Sequence, residues 1–135
     1  MPKTTLCSAA VALVMLACSP SHADAAAAPD FQWRKAIAAP TRLEVHDMNG
    51  SIRAEPSNDD ALEIVAIKTG RREDVARVDV VVREDGGTLR ACALWPGQTS
   101  CDGKMAGGRD HVDVRVDFVL RVPAKVSSLT VRTMN

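Results

Sequence analysis

Residue types that bind divalent cations recur at His111, Asp113 and Asp117. On an extended strand all three project from one face, so an imidazole nitrogen and two carboxylates could share one ion. Arg115 and Arg121 stand on the same face and neutralise the acids, which makes a solvated strand face the simpler reading. His46 and Asp47 are adjacent and precede Asn49, and they read as the shoulder of a turn before a catalytic dyad. The stretch Cys101-Asp-Gly-Lys-Met-Ala-Gly-Gly-Arg109 superficially resembles a phosphate cradle. It lacks the Gly-Lys-Ser/Thr ending and opens onto no helix, so its amides have no dipole behind them. No Gly-x-Ser-x-Gly elbow presents a serine nucleophile. The chain therefore reads as non-enzymatic, with no catalytic, cofactor or metal site assigned. A small-ligand or metal-binding module on the His111/Asp113/Asp117 face is kept as the alternative.

The N-terminus places these residues in a compartment. Lys3 leads into an apolar run from Leu6 to Cys18, too short to span a bilayer and without a stop-transfer flank, as in a secretory signal peptide. Small residues at Ser21 and Ala23 predict cleavage before Asp24, so that residues 1–23 are a signal peptide and 112 of the 135 residues remain. Met15-Leu-Ala-Cys18 approximates a lipoprotein signal and leaves acylation of Cys18 as the alternative cut. The expected location is the periplasm or the cell surface. Cleavage after Ala23 leaves Cys92 and Cys101, and two cysteines in an oxidising compartment pair. The Pro96-Gly97 turn between them can bring the chain back, and a bridge closing so short a loop stabilises by roughly 2–3 kcal/mol in the chain-entropy model. The Cys-x-x-Cys spacing of a redox pair is missing.

Removing the leader takes 17 basic and 17 acidic residues to 16 and 17, a net charge of −1. That balance argues against nucleic acid and against polybasic membrane docking, and the leader aside nothing reads as a transmembrane segment. Phe31, Trp33, Trp95 and Phe118 are the only aromatic residues, too few for a stacked carbohydrate-binding face.

After an alanine-rich spacer over residues 24–30, the apolar period is two. Phe31 and Trp33 share a face, as do Leu43 and Val45, then Ile52 and Ala54. Between the last two pairs, Asn49-Gly50 tolerates the positive φ that a tight reversal between strands demands. Leu62 to Ile67 is apolar on both faces, which predicts cover on both. Val78, Val80 and Val82 alternate with Asp79 and Arg83, and Asp85-Gly86-Gly87 predicts a hairpin before Leu89. From Val112 to Val122 every second residue is apolar, a long half-buried strand. Asp59-Asp60 and Arg71-Arg72-Glu73-Asp74 read as solvated turns, and no segment after the leader has helical periodicity. The fold class is all-β, either a stacked-strand β-solenoid or a sandwich.

The segment Leu43-Glu-Val-His-Asp-Met-Asn49 is echoed by Leu129-Thr-Val-Arg-Thr-Met-Asn135, with Leu, Val, Met and Asn at identical spacing. With Leu43 through Ile52, the Cys92-Ala-Leu-Trp-Pro96 to Cys101 loop, and Val112 to Pro123 followed by Ala124-Lys-Val126, the chain resembles the bacterial putative adhesin family over residues 31–135. The resemblance implies an exported, non-enzymatic β-repeat domain that binds a macromolecular partner. It implies no catalytic residue. Family members continue through further strands of this kind, whereas the echo stops at Asn135, so the domain is expected to be truncated at its C-terminus. Its last strand carries no proline, bulge or lysine to discourage pairing, which predicts self-association at that edge.

Overall fold

In a computed structural model, residues 28–101 and 111–134 are described. Among them the alternating segments form β1 (Phe31–Ala36), β2 (Thr41–Asp47), β3 (Ile52–Pro56), β4 (Ala61–Gly70), β5 (Asp79–Asp85), β6 (Thr88–Leu94), β7 (Val114–Val122) and β8 (Val126–Thr133), with one helical turn, α1 (Arg72–Val75). The leader, its cleavage site, Cys18 and the loop over 102–110 lie outside the described residues. No helix among the described residues is long and apolar enough to cross a membrane.

Two four-stranded sheets face each other, ordered β1-β4-β7-β3 and β5-β6-β2-β8. The fold is therefore all-β and sandwich-like. The β1–β4, β4–β7 and β5–β6 pairs are antiparallel, whereas β3–β7, β2–β6 and β2–β8 are parallel. In the β2–β8 pair Leu43 stands opposite Leu129 and Val45 opposite Val131, so the two copies of the sequence echo are ladder neighbours.

Period-two burial follows from a core between the two layers. Val114, Val116, Phe118 and Leu120 of β7 are fully buried, against Leu43 and Val45 of β2 and Leu89 and Ala91 of β6. Each such aliphatic or aromatic side chain contributes about 1.5–3 kcal/mol on burial. The long strand begins at Val114, not at His111, and His111 and Asp113 are exposed residues before it. The expectation for Leu62 to Ile67 fails on one face. Leu62, Ile64 and Ala66 are buried, but Val65 is half-buried and Ile67 exposed, because among the described residues no third layer covers the outside of that sheet.

Turn chemistry behaves as expected at one reversal and differently at another. Gly86 and Gly87 have φ of 53° and 77° and join β5 to β6 in a two-residue hairpin. Asn49-Gly50, by contrast, is a corner between sheets. β2 and β3 do not pair with each other; the chain leaves one layer and enters the other. α1 replaces the turn expected at residues 71–74. Asp74 is buried there, 2.8 Å from an Arg71 guanidinium nitrogen, and the Lys68 ammonium donates to the Val75 and Val78 carbonyls at 3.1 and 2.9 Å. Asp59 and Asp60 do face solvent, with Asp59 capping the Ala61 amide at 3.0 Å and pairing with Arg34, and Asp60 2.9 Å from Lys125.

Candidate functional site

Three groups of residues that the sequence singled out lie along β2 and its neighbours. The first is the corner. Leu43, Val45 and Asp47 share the inward face of β2, so the parity that buries two apolar residues also buries a carboxyl group that is 1% exposed. Among the described residues neither carboxyl oxygen has an aligned donor; the Met48 and Asn49 amides face it without closing a hydrogen bond. Burial therefore pushes the Asp47 carboxyl up to about 6, with the Asp117 charge adding to the rise and the two amides and Arg115 opposing it. Asp117 is the opposite case. Arg115 at 2.9 Å, then the Ser51 hydroxyl at 2.6 Å and amide at 2.9 Å, hold it down at about 2. The Asn49 side-chain amide donates to the Val114 carbonyl at 3.2 Å and fastens the corner to β7.

The second group is a row on the outer face of the sheet that holds β2. In register across it stand Cys92, His46 and Arg132. Cys92 is bonded to Cys101 with 5.8 Å between Cα atoms, and both cysteines are buried. His46 is 7% exposed and its Nδ1 has no partner among the described residues; burial first, and then Arg132, lower its pKa, with Glu44 opposing. Glu44 accepts from Arg90 at 2.8 Å, which lowers its own pKa.

The third group is one open end of the sandwich, where β3 and β8 are the edge strands of their sheets. Leu129 and Val131 project from the face that Leu43 and Val45 use for the core, yet they are 39% and 44% exposed, and Met134 beyond them is 58% exposed. The apolar core thus runs out to solvent along β8. The far end differs, since a Lys35–Glu84 ion pair links β1 to β5 across the two layers there.

The residues set apart as cation ligands do not converge. Asp117 is committed to Arg115 and Ser51, His111 and Asp113 precede the strand, and the described residues contain no group of three candidate ligands. Sequence reasoning missed the burial of Asp47, although its odd-numbered position on the Leu43–Val45 face signalled it. It also passed over Arg53 and Glu55, exposed on β3, for which no hydrogen bond or ion pair is found among the described residues.

No family model matches the chain, and no curated protein matches it. Among solved structures the chain is similar to a putative cell adhesion protein from Clostridium sporogenes, at 10% sequence identity and a TM-score of 0.38. The match covers 78% of this chain and 48% of that one, so the chain spans about half of that protein's length.

Proposed function

We propose that this chain is an exported, non-enzymatic envelope module of the adhesin-like kind, which holds a macromolecular partner at the open end of its sandwich. The observation that carries the reading is the exposed apolar pair Leu129 and Val131, on an edge strand whose ladder neighbours Leu43 and Val45 are fully buried. A pair of this kind on a free sheet edge supplies both main-chain hydrogen bonds and alternate apolar anchors to an incoming strand. The secretory leader and the Cys92–Cys101 bond support export. The resemblance over residues 31–135 supports the adhesin-like class.

The test is retention of the purified, labelled protein on cells that display it and on their isolated envelopes. Val131→Lys is expected to lower retention at least tenfold while circular dichroism stays unchanged, because a partly exposed position lets the ammonium reach water. Asp79→Lys, at the β5 edge, is expected to leave retention intact. Equal retention of wild type and Val131→Lys, or retention abolished by a chelator, would overturn the reading.

A further inference from the structure

We propose that the partner seated on the open end is a second copy of this chain, related by a two-fold axis normal to both sheets. The inference rests on the docking reading above and names its occupant. Rotation about such an axis sets β8 antiparallel to its own copy in one layer and β3 antiparallel to its own copy in the other. Both open edges are then paired, and Leu129 and Val131 of each chain are covered by those of the other. A self-complementary patch of this kind is what an isologous interface requires.

The backbone of β3 fixes which groups are available. The Asn49 and Ser51 carbonyls accept from the Val116 and Phe118 amides, both at 2.8 Å, and the Ser57 amide donates to Val122 at 2.9 Å. Odd-numbered residues of this segment therefore turn their polar groups to β7, and Ile52, Ala54 and Pro56 turn theirs to the free edge. A copy centred on Ala54 receives the Ala54 and Ile52 amides on its Ala54 and Pro56 carbonyls. Pro56 has no N–H to give, so only the outermost donor position on each side is lost.

The charges select this register. With Ala54 opposite its own copy, Arg53 stands opposite Glu55 of the second chain, and Glu55 opposite its Arg53, in the closer, non-hydrogen-bonded type of pair. Within one chain these two side chains are exposed and have no ion-pair partner among the described residues, whereas Arg34, Lys35, Arg90, Arg115 and Lys125 each have one. A basic and an acidic residue flanking a two-fold centre on a free edge are complementary to a copy of themselves in reverse.

Sedimentation equilibrium of the protein purified from the envelope, across a micromolar concentration series, tests this. The expected result is a monomer–dimer equilibrium in which Arg53→Glu or Glu55→Arg alone raises the dissociation constant roughly tenfold. The double exchange Arg53→Glu/Glu55→Arg is expected to restore the wild-type value. Both positions are exposed, so folding is not at stake. A chain that stays monomeric throughout overturns the proposal, as does a dimer indifferent to both single exchanges. A monomer whose envelope retention still falls on Val131→Lys sinks the two-fold pairing and keeps the docking reading. A charge-sensitive dimer not retained on envelopes does the reverse.

Discussion

Gly50→Ala is expected to destabilise the protein by about 4 kcal/mol, near the upper end of what one substitution does. Gly50 sits at the corner with φ of 151°, and an added Cβ would lie 1.8 Å from the Val116 carbonyl oxygen and 2.8 Å from an Asp47 carboxyl oxygen. Backbone cannot yield there as a flexible side chain would. The Val116 amide is bonded to the Asn49 carbonyl at 2.8 Å, so withdrawing Val116 opens the β3–β7 ladder at its start. Gly97 provides the internal comparison. Its φ is 88° but nothing lies within 4 Å of its added Cβ, so Gly97→Ala meets only backbone strain, about 1 kcal/mol. Urea unfolding of the two variants separates overlap from strain. Equal midpoints would mean that the corner tolerates a side chain and is not the rigid joint described.

Asp47→Asn is expected to stabilise the protein at pH 8 by about 3 kcal/mol. The folded carboxyl titrates at about 6 against 3.8 for the ordinary group, a gap of about 2 units at roughly 1.36 kcal/mol each. Because the folded value is raised, the folded state binds the extra proton. Stability is then unaffected by this group below pH 3.8, falls as pH rises from there through about 6, and stays at the lower level above. Asp117 works in the other direction. Its depressed value contributes stability above pH 3.8 that is lost as pH falls through about 2. Removing the Asp47 carboxylate should therefore abolish the decline between pH 4 and 7 and leave the acid limb in place. Unfolding free energies measured by urea from pH 4 to pH 8 check both. An Asp47→Asn protein less stable than wild type at pH 8 would show that the carboxylate has a partner after all.

What the sequence disclosed, and what it hid, divides along physical lines. Side-chain parity reports one-sided burial directly, so β7 was legible from its valines and β5–β6 from the alternation on either side of Gly86-Gly87. Parity also carried Asp47 into the core, a signal masked by the habit of assigning Asp beside Asn-Gly to a turn. Pairing was not legible. Asn-Gly dictates a backbone conformation and says nothing of which strand lies alongside, so a corner between layers looked the same as a hairpin. The number of layers was hidden too, and Val65 and Ile67 looked covered when they face outward from a two-layer sandwich. The echo at Leu129 was readable as a repeat, but only the register shows it lying beside Leu43. A free edge was expected from β8 alone, but the expected absence of a bulge fails, since the β2–β8 register shifts between Thr41 and Arg42 and skips Ser127; the match with the free edge of β3 needed three dimensions.

Amide hydrogen exchange resolved along β3 and β8 by NMR tests most directly that this end is the docking edge. In dilute solution the Ile52 and Ala54 amides, which face the free edge, should exchange fast, while those of Arg53 and Glu55, which face β7, are protected. When the protein is concentrated or bound to envelopes, Ile52, Ala54 and the edge amides of β8 should slow together, with no change along β1 and β5. Protection that appears instead at the β1 and β5 edges, with Ile52 and Ala54 still exchanging freely, would contradict the account.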